Sequence, residues 1–342
     1  MTVDAVAVVI VTYDSAPHIA ATLAALEGQL REDDELIVVD NASRDGTAAV
    51  VRSATSKAVV LQQGRNLGFA AGCQTGAAAS RAPFLLFLNP DSVPDEGCLD
   101  ALRSAGRERL SWAAWQALVT MDGGATINTS GNVTHFLGMG WAGRCGQPLA
   151  AGPTQPAEVT FASGAALVVR REAWEQLGGF DPRYFMYGED LDFGLRLWLS
   201  GWRVGVVPAA RVEHAYEFAK GGRKWFLLER NRWWTVLGDY PTPLLLLVLP
   251  PLLAAEPALL ALAGQGGWLR EKLRAQVAVL RELPRIVARR RHIQAQRRIS
   301  AGEFARRLTA DLDSPYLAGA ARLPLLPALQ RAYWRLILGV LR

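Results

Sequence analysis

The sequence predicts an α/β fold, a mostly parallel β-sheet flanked by helices, followed by a helical C-terminal region. Three observations point to it. Through about residues 3–215, short apolar runs alternate with segments of helical period. Strands that are apolar on both faces and joined by helices form parallel sheets covered on both sides. Beyond them lies the most apolar stretch of the chain, Leu244 to Ala263. Next, residues 268–300 crowd ten Lys or Arg against two Glu, a local net charge of +8, although the 342 residues together net only +5. The rest of the chain is therefore mildly acidic, and the basic pI belongs to one segment.

The first run is Ala5–Val11. Asp4 precedes it and no basic segment does, so the start MTVDAVAVVIVTYD reads as a buried strand rather than a secretion signal. A helix follows from about Pro17, then the run Leu36–Val39, a helix from about Asp45, the run Val59–Gln62, a helix from about Gly68, the run Phe84–Leu88 and a helix from about Asp95. Ligands of such sheets bind outside the carboxyl ends of the strands. The informative residues are therefore Thr12, Tyr13 and Asp14, then Asp40 and Asn41, then Arg65, Asn66 and Gly68, then Asn89 and Asp91. Asp40 can accept from a base N–H or a ribose hydroxyl, while Ser43 or Asp45 is expected to cap the following helix. Arg65 and Asn66 stand before an Ala/Gly-rich helix whose N-terminus attracts anions.

Several classes are excluded. There is no Gly-X-Y repeat and too much Val, Leu and Ile for a disordered chain. Cys73, Cys98 and Cys145 form neither a disulfide framework nor a CxxC site, which favours a reducing setting. The first strand leads into TYDSAPH rather than GxGxxG, and no GxxxxGK[ST] occurs, which disfavours nicotinamide dehydrogenases and P-loop ATPases. What remains is a nucleotide site that handles phosphate through side chains and a divalent metal, Mg²⁺ or Mn²⁺, both of which suit carboxylate oxygens.

In GEDLDFGLRLWLSGW, Leu191, Leu195, Trp198 and Leu199 share one helical face, which puts Glu189 and Asp190 at the helix N-terminus. His214 follows the strand Val204–Val207. Trp174, Tyr184, Phe185 and Tyr187 flank the acidic motif and either stack on a ligand or fill the core.

The blocks VAVVIVTYDSAPHIAATLAAL, ELIVVDNASRDGT, GRNLGFAAGCQTGAAAS, FLLFLNPDSVPDEG and SGAALVVRREAWEQLGGFDPRYFMYGEDLDFGLRLWLSGWRVGVVPAARVEH resemble, in this order, the family 2 glycosyltransferases over about residues 4–240. The NPD triplet and the GGFD…GEDLDF block resemble the rhamnosyltransferase-like branch. The resemblance implies a GT-A (Rossmann-like) fold, a dTDP- or UDP-linked sugar donor, a divalent cation and inverting transfer of a sugar, rhamnose being the best guess. It assigns Thr12, Tyr13, Asp14, Asp40, Asn41, Arg65, Asn66, Gly68, Asn89 and Asp91 to the nucleotide sugar. It assigns Asp91 and His214 to the metal and the general base to Asp190, with Glu189 as the alternative and Asp192 as loop support. The commoner DxD has become Asn89-Pro90-Asp91, and an amide holds a hard cation less well than a carboxylate.

The division is expected near residue 240, with 1–240 catalytic and 241–342 apolar, then basic. Leu244–Ala263 is long enough to cross a bilayer, but Pro250-Pro251, Glu256 and Pro257 argue for an interfacial or re-entrant helical hairpin over a span or a buried helix pair. Trp225, Trp233 and Trp234 suit an interfacial belt, and the arginines suit an anionic cytoplasmic leaflet. No nucleic-acid-binding module is present. The expectation is a bacterial, membrane-associated enzyme of cell wall or polysaccharide biosynthesis, peripheral or monotopic on the cytoplasmic face of the cell membrane. Its acceptor would be a lipid-linked or cell-surface glycan. The alternative is a non-catalytic membrane-surface binding or scaffold protein with a GT-A fold.

Overall fold

The computed structural model describes residues 2–214, 221–313 and 325–342. The first half repeats β and α: β1 (Val6–Thr12), α1 (Ala16–Glu27), β2 (Glu35–Asp40), α2 (Thr47–Ala54), β3 (Ala58–Gln62), α3 (Phe69–Ala78) and β4 (Phe84–Leu88). β1 pairs in parallel with β2 and β4, and β2 with β3. The register aligns Thr12 with Asp40 and Asp40 with Gln62, so the strands end level and their polar residues share one rim. Every residue of β1 and β4 is buried, as a strand covered on both faces requires. α1 carries Pro17 in its first turn and buries Ile19, Leu23 and Leu26 at helical spacing.

The chain continues through β5 (Val93–Pro94), α4 (Cys98–Glu108), β6 (Trp112–Met121), β7 (Thr126–Thr129), β8 (Asn132–Thr134), β9 (Gly140–Ala142), β10 (Ala157–Glu158), β11 (Ala166–Arg170), α5 (Arg171–Leu177), α6 (Glu189–Leu199) and β12 (Arg203–Glu213). The sheet order is β10-β12-β6-β11-β4-β1-β2-β3, with β5 on β12 and β7 on β6. β11 enters antiparallel between β4 and β6, while β12 runs parallel to β6. The sheet is thus mixed and mostly parallel, and its antiparallel part lies beyond the β-α repeat that the sequence pattern displays.

Ser43 does not cap α2, because it is engaged by Asp40; the N-cap position is Gly46, at φ +89°, and Asp45 just before it accepts the first helical N–H, that of Thr47, at 3.0 Å.

The described residues fall into two compact units: 2–132, 142–197 and 202–214 in the first, and 133–141, 198–201, 221–313 and 325–342 in the second. The second holds α7 (Gly221–Asp239), α8 (Thr242–Gln265), α9 (Leu269–Ala295), α10 (Ala301–Ala305) and α11 (Leu326–Val340). A capping box of Ser300 and Glu303 starts α10.

The apolar stretch does not turn back as a hairpin. α8 runs unbroken for 24 residues through Pro250, Pro251 and Pro257. A proline inside a helix frees the carbonyl four residues earlier. For Pro251 that is the carbonyl of Leu247, which accepts the Tyr333 hydroxyl at 2.7 Å. Nor do Trp233 and Trp234 form a surface belt. Both are buried, and Trp233 Nε1 donates to Glu229 at 3.0 Å.

Candidate active site

At the ends of β1 and β2, one carboxylate oxygen organises the rim. Asp40 Oδ1 accepts the Thr12 hydroxyl at 3.3 Å, the Ser43 N–H at 3.2 Å and the Ser43 hydroxyl. Asp14 N–H donates to Ser43 Oγ at 3.0 Å, and Asp14 Oδ1 accepts the Arg44 N–H at 2.7 Å. Asp14 and Ala42 both hold positive φ, +49° and +64°, a strained conformation for non-glycine residues that clusters at ligand sites. Tyr13 stands half exposed beside them.

Asn41 Nδ2 donates to the Gly68 carbonyl at 3.1 Å, while its Oδ1 is buried and unmatched. A buried acceptor left unmade costs about 1–3 kcal/mol, and this oxygen can accept a further N–H or hydroxyl. Asn66 Oδ1 accepts the Gly68 N–H at 2.9 Å, and Arg65 is exposed in the same loop. Gly68 has φ +89°, and a Cβ there would run into the carbonyl and ring of Phe185. Ala70 N–H donates to that same carbonyl at 3.2 Å. The start of α3 is thereby tied to the loop that carries the acidic motif.

After β4, Asn89 N–H bonds the Ala165 carbonyl at 3.1 Å, and the Pro90 carbonyl accepts the Thr22 hydroxyl at 2.8 Å. The end of β12 brings His214 here, its backbone held by Thr120 and Asn128. His214 Nε2 lies 3.1 Å from Asp91 Oδ1 and 3.5 Å from Asn89 Nδ2. Among the described residues, no three or more His, Cys, Asp or Glu side chains gather as metal ligands. Asp91 and His214 nonetheless offer one hard and one borderline donor in contact, which suits a divalent cation that takes its remaining ligands from a diphosphate.

The acidic motif opens α6. Asp190 is partly exposed, and its carboxylate accepts the Gly164 N–H at 3.2 Å and the Leu191 N–H at 2.8 Å. Burial pushes its pKa up to about 6 against the pull of those N–H groups. Glu189 is buried, with Oε2 unmatched, and burial followed by the neighbouring Asp190 charge holds its pKa well above the usual carboxylate range. The preceding loop bends through Phe185 and Tyr187, both at positive φ, +64° and +69°.

Of the four aromatic residues that flank the acidic motif, two fill the core. Trp174 packs on Phe87, Phe180 and Phe193, and Tyr184 is fully buried with its hydroxyl on Asp192 at 2.9 Å. Asp192 pairs with Arg196 at 2.8 Å, whose other nitrogens reach the carbonyls of Leu177 and Gly179 at 2.9 and 2.6 Å. Asp192 is expected from the sequence as loop support; Arg196, its partner in that clamp, is not among the sequence-predicted residues, although the i, i+4 spacing of the two is legible. Gly164, which orients Asp190, carries no side-chain signal at all.

Comparisons with known proteins bear on the family and the fold. The Glycosyl transferase family 2 model matches residues 7–177, and a second, described as N-terminal domain of galactosyltransferase, matches residues 155–220. The N-acetylglucosaminyl-diphospho-decaprenol L-rhamnosyltransferase of Mycobacterium tuberculosis is 31% identical over 233 residues, 62% of this chain and 76% of that protein. The rhamnosyltransferase WbbL of Escherichia coli K12 is 39% identical over 75 residues, 22% of this chain and 27% of that protein. Among solved structures, GalNAc-T7 with UDP, GalNAc and Mn²⁺ aligns at TM-score 0.53 and 14% identity, covering 69% of this chain and 48% of that one, so the chain spans about half its length. A mannosyltransferase of Pyrobaculum calidifontis with GDP-Man and Mn²⁺ aligns at 0.50 and 18% identity, covering 85% and 84%. The structural likenesses establish the GT-A fold, and the family match together with the rhamnosyltransferase relative establishes that this chain is an enzyme belonging to glycosyltransferase family 2.

Proposed function

We propose that the protein transfers a sugar, with inversion, from a nucleotide-diphosphate donor to a hydroxyl of a lipid-linked glycan at the cytoplasmic face of a bacterial membrane, in cell wall or polysaccharide assembly. Asp190 carries this reading: a carboxylate at a helix N-terminus, fixed by two backbone N–H groups and with its pKa lifted to about 6 by burial. Ionised at neutral pH, it is more basic than an ordinary aspartate and suits removal of the acceptor hydroxyl's proton as the oxygen attacks the anomeric carbon. Burial, with the neighbouring Asp190 charge, holds the Glu189 pKa well above the usual carboxylate range, so Asp190 is the better candidate of the two for the base.

Thr12, Tyr13, Asp14, Asp40 and Asn41 form the nucleotide end of the donor site, and the unmatched Asn41 Oδ1 supports that placement. Arg65, Asn66 and Gly68 lie at the N-terminus of α3, where a diphosphate is electrostatically favoured. Asp91 and His214 would hold Mg²⁺ or Mn²⁺ with Asn89 adjoining, and the cation would neutralise the departing diphosphate. His214 favours Mn²⁺ over Mg²⁺, because imidazole suits the softer ion. The relative's decaprenyl-diphosphate-linked acceptor and its rhamnose support the same classes here, with dTDP-rhamnose first and UDP-sugars next. In this reading residues 1–240 perform catalysis and 241–342 hold the chain at the anionic membrane where the acceptor resides.

The experiment is transfer by purified protein over UDP-, dTDP- and GDP-sugars with Mg²⁺ or Mn²⁺ and a polyprenyl-diphosphate-linked N-acetylglucosamine acceptor. Turnover with one donor is expected. Asn89 in place of a carboxylate favours one other reading, a non-catalytic membrane-surface binding protein, and donor binding without turnover on any sugar would establish it.

A further inference from the structure

The membrane reading above is the premise here, and the second unit indicates how the chain would meet the bilayer. The 24 residues of α8 include one charged side chain, Glu256. That carboxylate is turned inward, 2.7 Å from Arg232, 2.8 Å from Lys272 and 2.7 Å from Gln276 Nε2. Arg232 and Lys272 also hold Glu229, at 3.0 and 2.7 Å, so four charges from three helices form one buried network. Leu244, Val248, Leu252 and Ala263 are buried along the same helix. Leu246 and Leu253 remain 65% and 57% exposed, nearly in line on a flank that carries no charge.

A spanning helix must be clothed by lipid or by apolar protein along its whole length. For α8 to cross, the ion network would have to follow it into hydrocarbon, at the cost of desolvating four charges. A charge-free flank opposite a buried one is instead the pattern of a helix that lies on a bilayer. α9 supplies the complementary half. It exposes Leu273, Val277, Leu280 and Val287 among the exposed Arg270, Arg274, Arg281 and Arg285. Leucines at the acyl boundary with arginines among headgroups are the composition of an interfacial helix, and its positive charge selects anionic lipid. Not every basic residue takes part: Lys272 is in the network, Arg289 pairs with Asp239 at 3.0 Å, and Arg290 bonds the carbonyls of Leu237 and Tyr240.

We propose that α8 and α9 lie in the plane of one anionic leaflet, α8 by its Leu246/Leu253 flank and α9 by its leucines and arginines, and that both ends of α8 stay on the same side of the membrane. Two measurements on the full chain test this. In the first, Thr242→Cys and Gln265→Cys, each with Cys145→Ser, are labelled with an impermeant maleimide in sealed inverted membrane vesicles. Equal labelling of both positions is expected, and labelling of one alone would overturn the in-plane arrangement while leaving membrane attachment intact. In the second, the purified protein is floated with vesicles of phosphatidylcholine with or without phosphatidylglycerol. Flotation that requires phosphatidylglycerol, and falls at least tenfold in Leu246→Asp/Leu253→Asp and in Arg281→Gln/Arg285→Gln, is expected. Failure of the unsubstituted chain to float would overturn the membrane reading itself. A stable dimer in light scattering, abolished by Leu253→Asp with flotation unchanged, would assign the flank to a second copy and overturn the proposal.

Discussion

Asp91 Oδ1 and His214 Nε2 stand 3.1 Å apart, one at the end of β4 and the other at the end of β12. Neither neighbour in sequence nor a shared element brings them together. The sheet does, because β5 just after Asp91 pairs with the last residues of β12. In the proposed reading, an imidazole and a carboxylate held this way would supply two ligands to the cation, and the donor the others.

His214→Ala and Asp91→Asn should therefore each raise the Mn²⁺ concentration needed for half-maximal nucleotide-diphosphate binding at least tenfold. Titration calorimetry of nucleotide at fixed Mn²⁺ measures this. Unchanged Mn²⁺ dependence in both variants would remove the pair from the metal's ligands.

The lifted pKa of Asp190, about 6 against an ordinary 3.8, has two consequences of opposite sign. A base works ionised, so transfer should climb with pH through about 6 and level off above about 7. Stability runs the other way: the contribution of protonated Asp190 is complete below the unfolded pKa and is lost as pH rises through the folded one. Asp190→Asn should thus melt no lower than the unsubstituted chain at pH 8, measured by calorimetry, and the pH profile of kcat should show the acidic limb.

Asp192 is spent on structure. Arg196→Met leaves its fully buried carboxylate without its ion pair and should cost about 3–5 kcal/mol in urea unfolding. Tyr184→Phe, which removes one hydrogen bond to the same carboxylate, should cost about 1–2 kcal/mol. If Arg196→Met unfolds at the unsubstituted midpoint, the clamp contributes nothing.

Gly68→Ala forces a side chain into positive φ and onto the Phe185 carbonyl. The start of α3 must then move away from the acidic loop. A loss of about 1–3 kcal/mol in stability and at least tenfold weaker donor binding are expected from unfolding and calorimetric titration.

The β-α repeat was legible because fully buried parallel strands are continuous apolar runs, as Val6–Thr12 and Phe84–Leu88 are, and polar residues punctuate their ends. The placement of Glu189 and Asp190 at a helix start was legible for the same reason, since Leu191, Leu195 and Trp198 set the helical period. What could not be read was long-range. The Tyr333 hydroxyl that donates to the carbonyl freed by Pro251 lies in another helix, so the prolines read as breaks. Glu256 read as a burden on an apolar helix because its partners, Arg232 and Lys272, come from α7 and α9. Ser43 read as a helix cap because its bond to Asp40 depends on a turn that holds Ala42 at positive φ.

The central claim is that Asp190 takes the acceptor's proton. Single-turnover transfer by Asp190→Asn, with nucleotide affinity measured on the same preparation, tests it most directly. The account predicts a transfer rate reduced about a hundredfold to ten-thousandfold with unchanged nucleotide affinity, and transfer at the unsubstituted rate would contradict it.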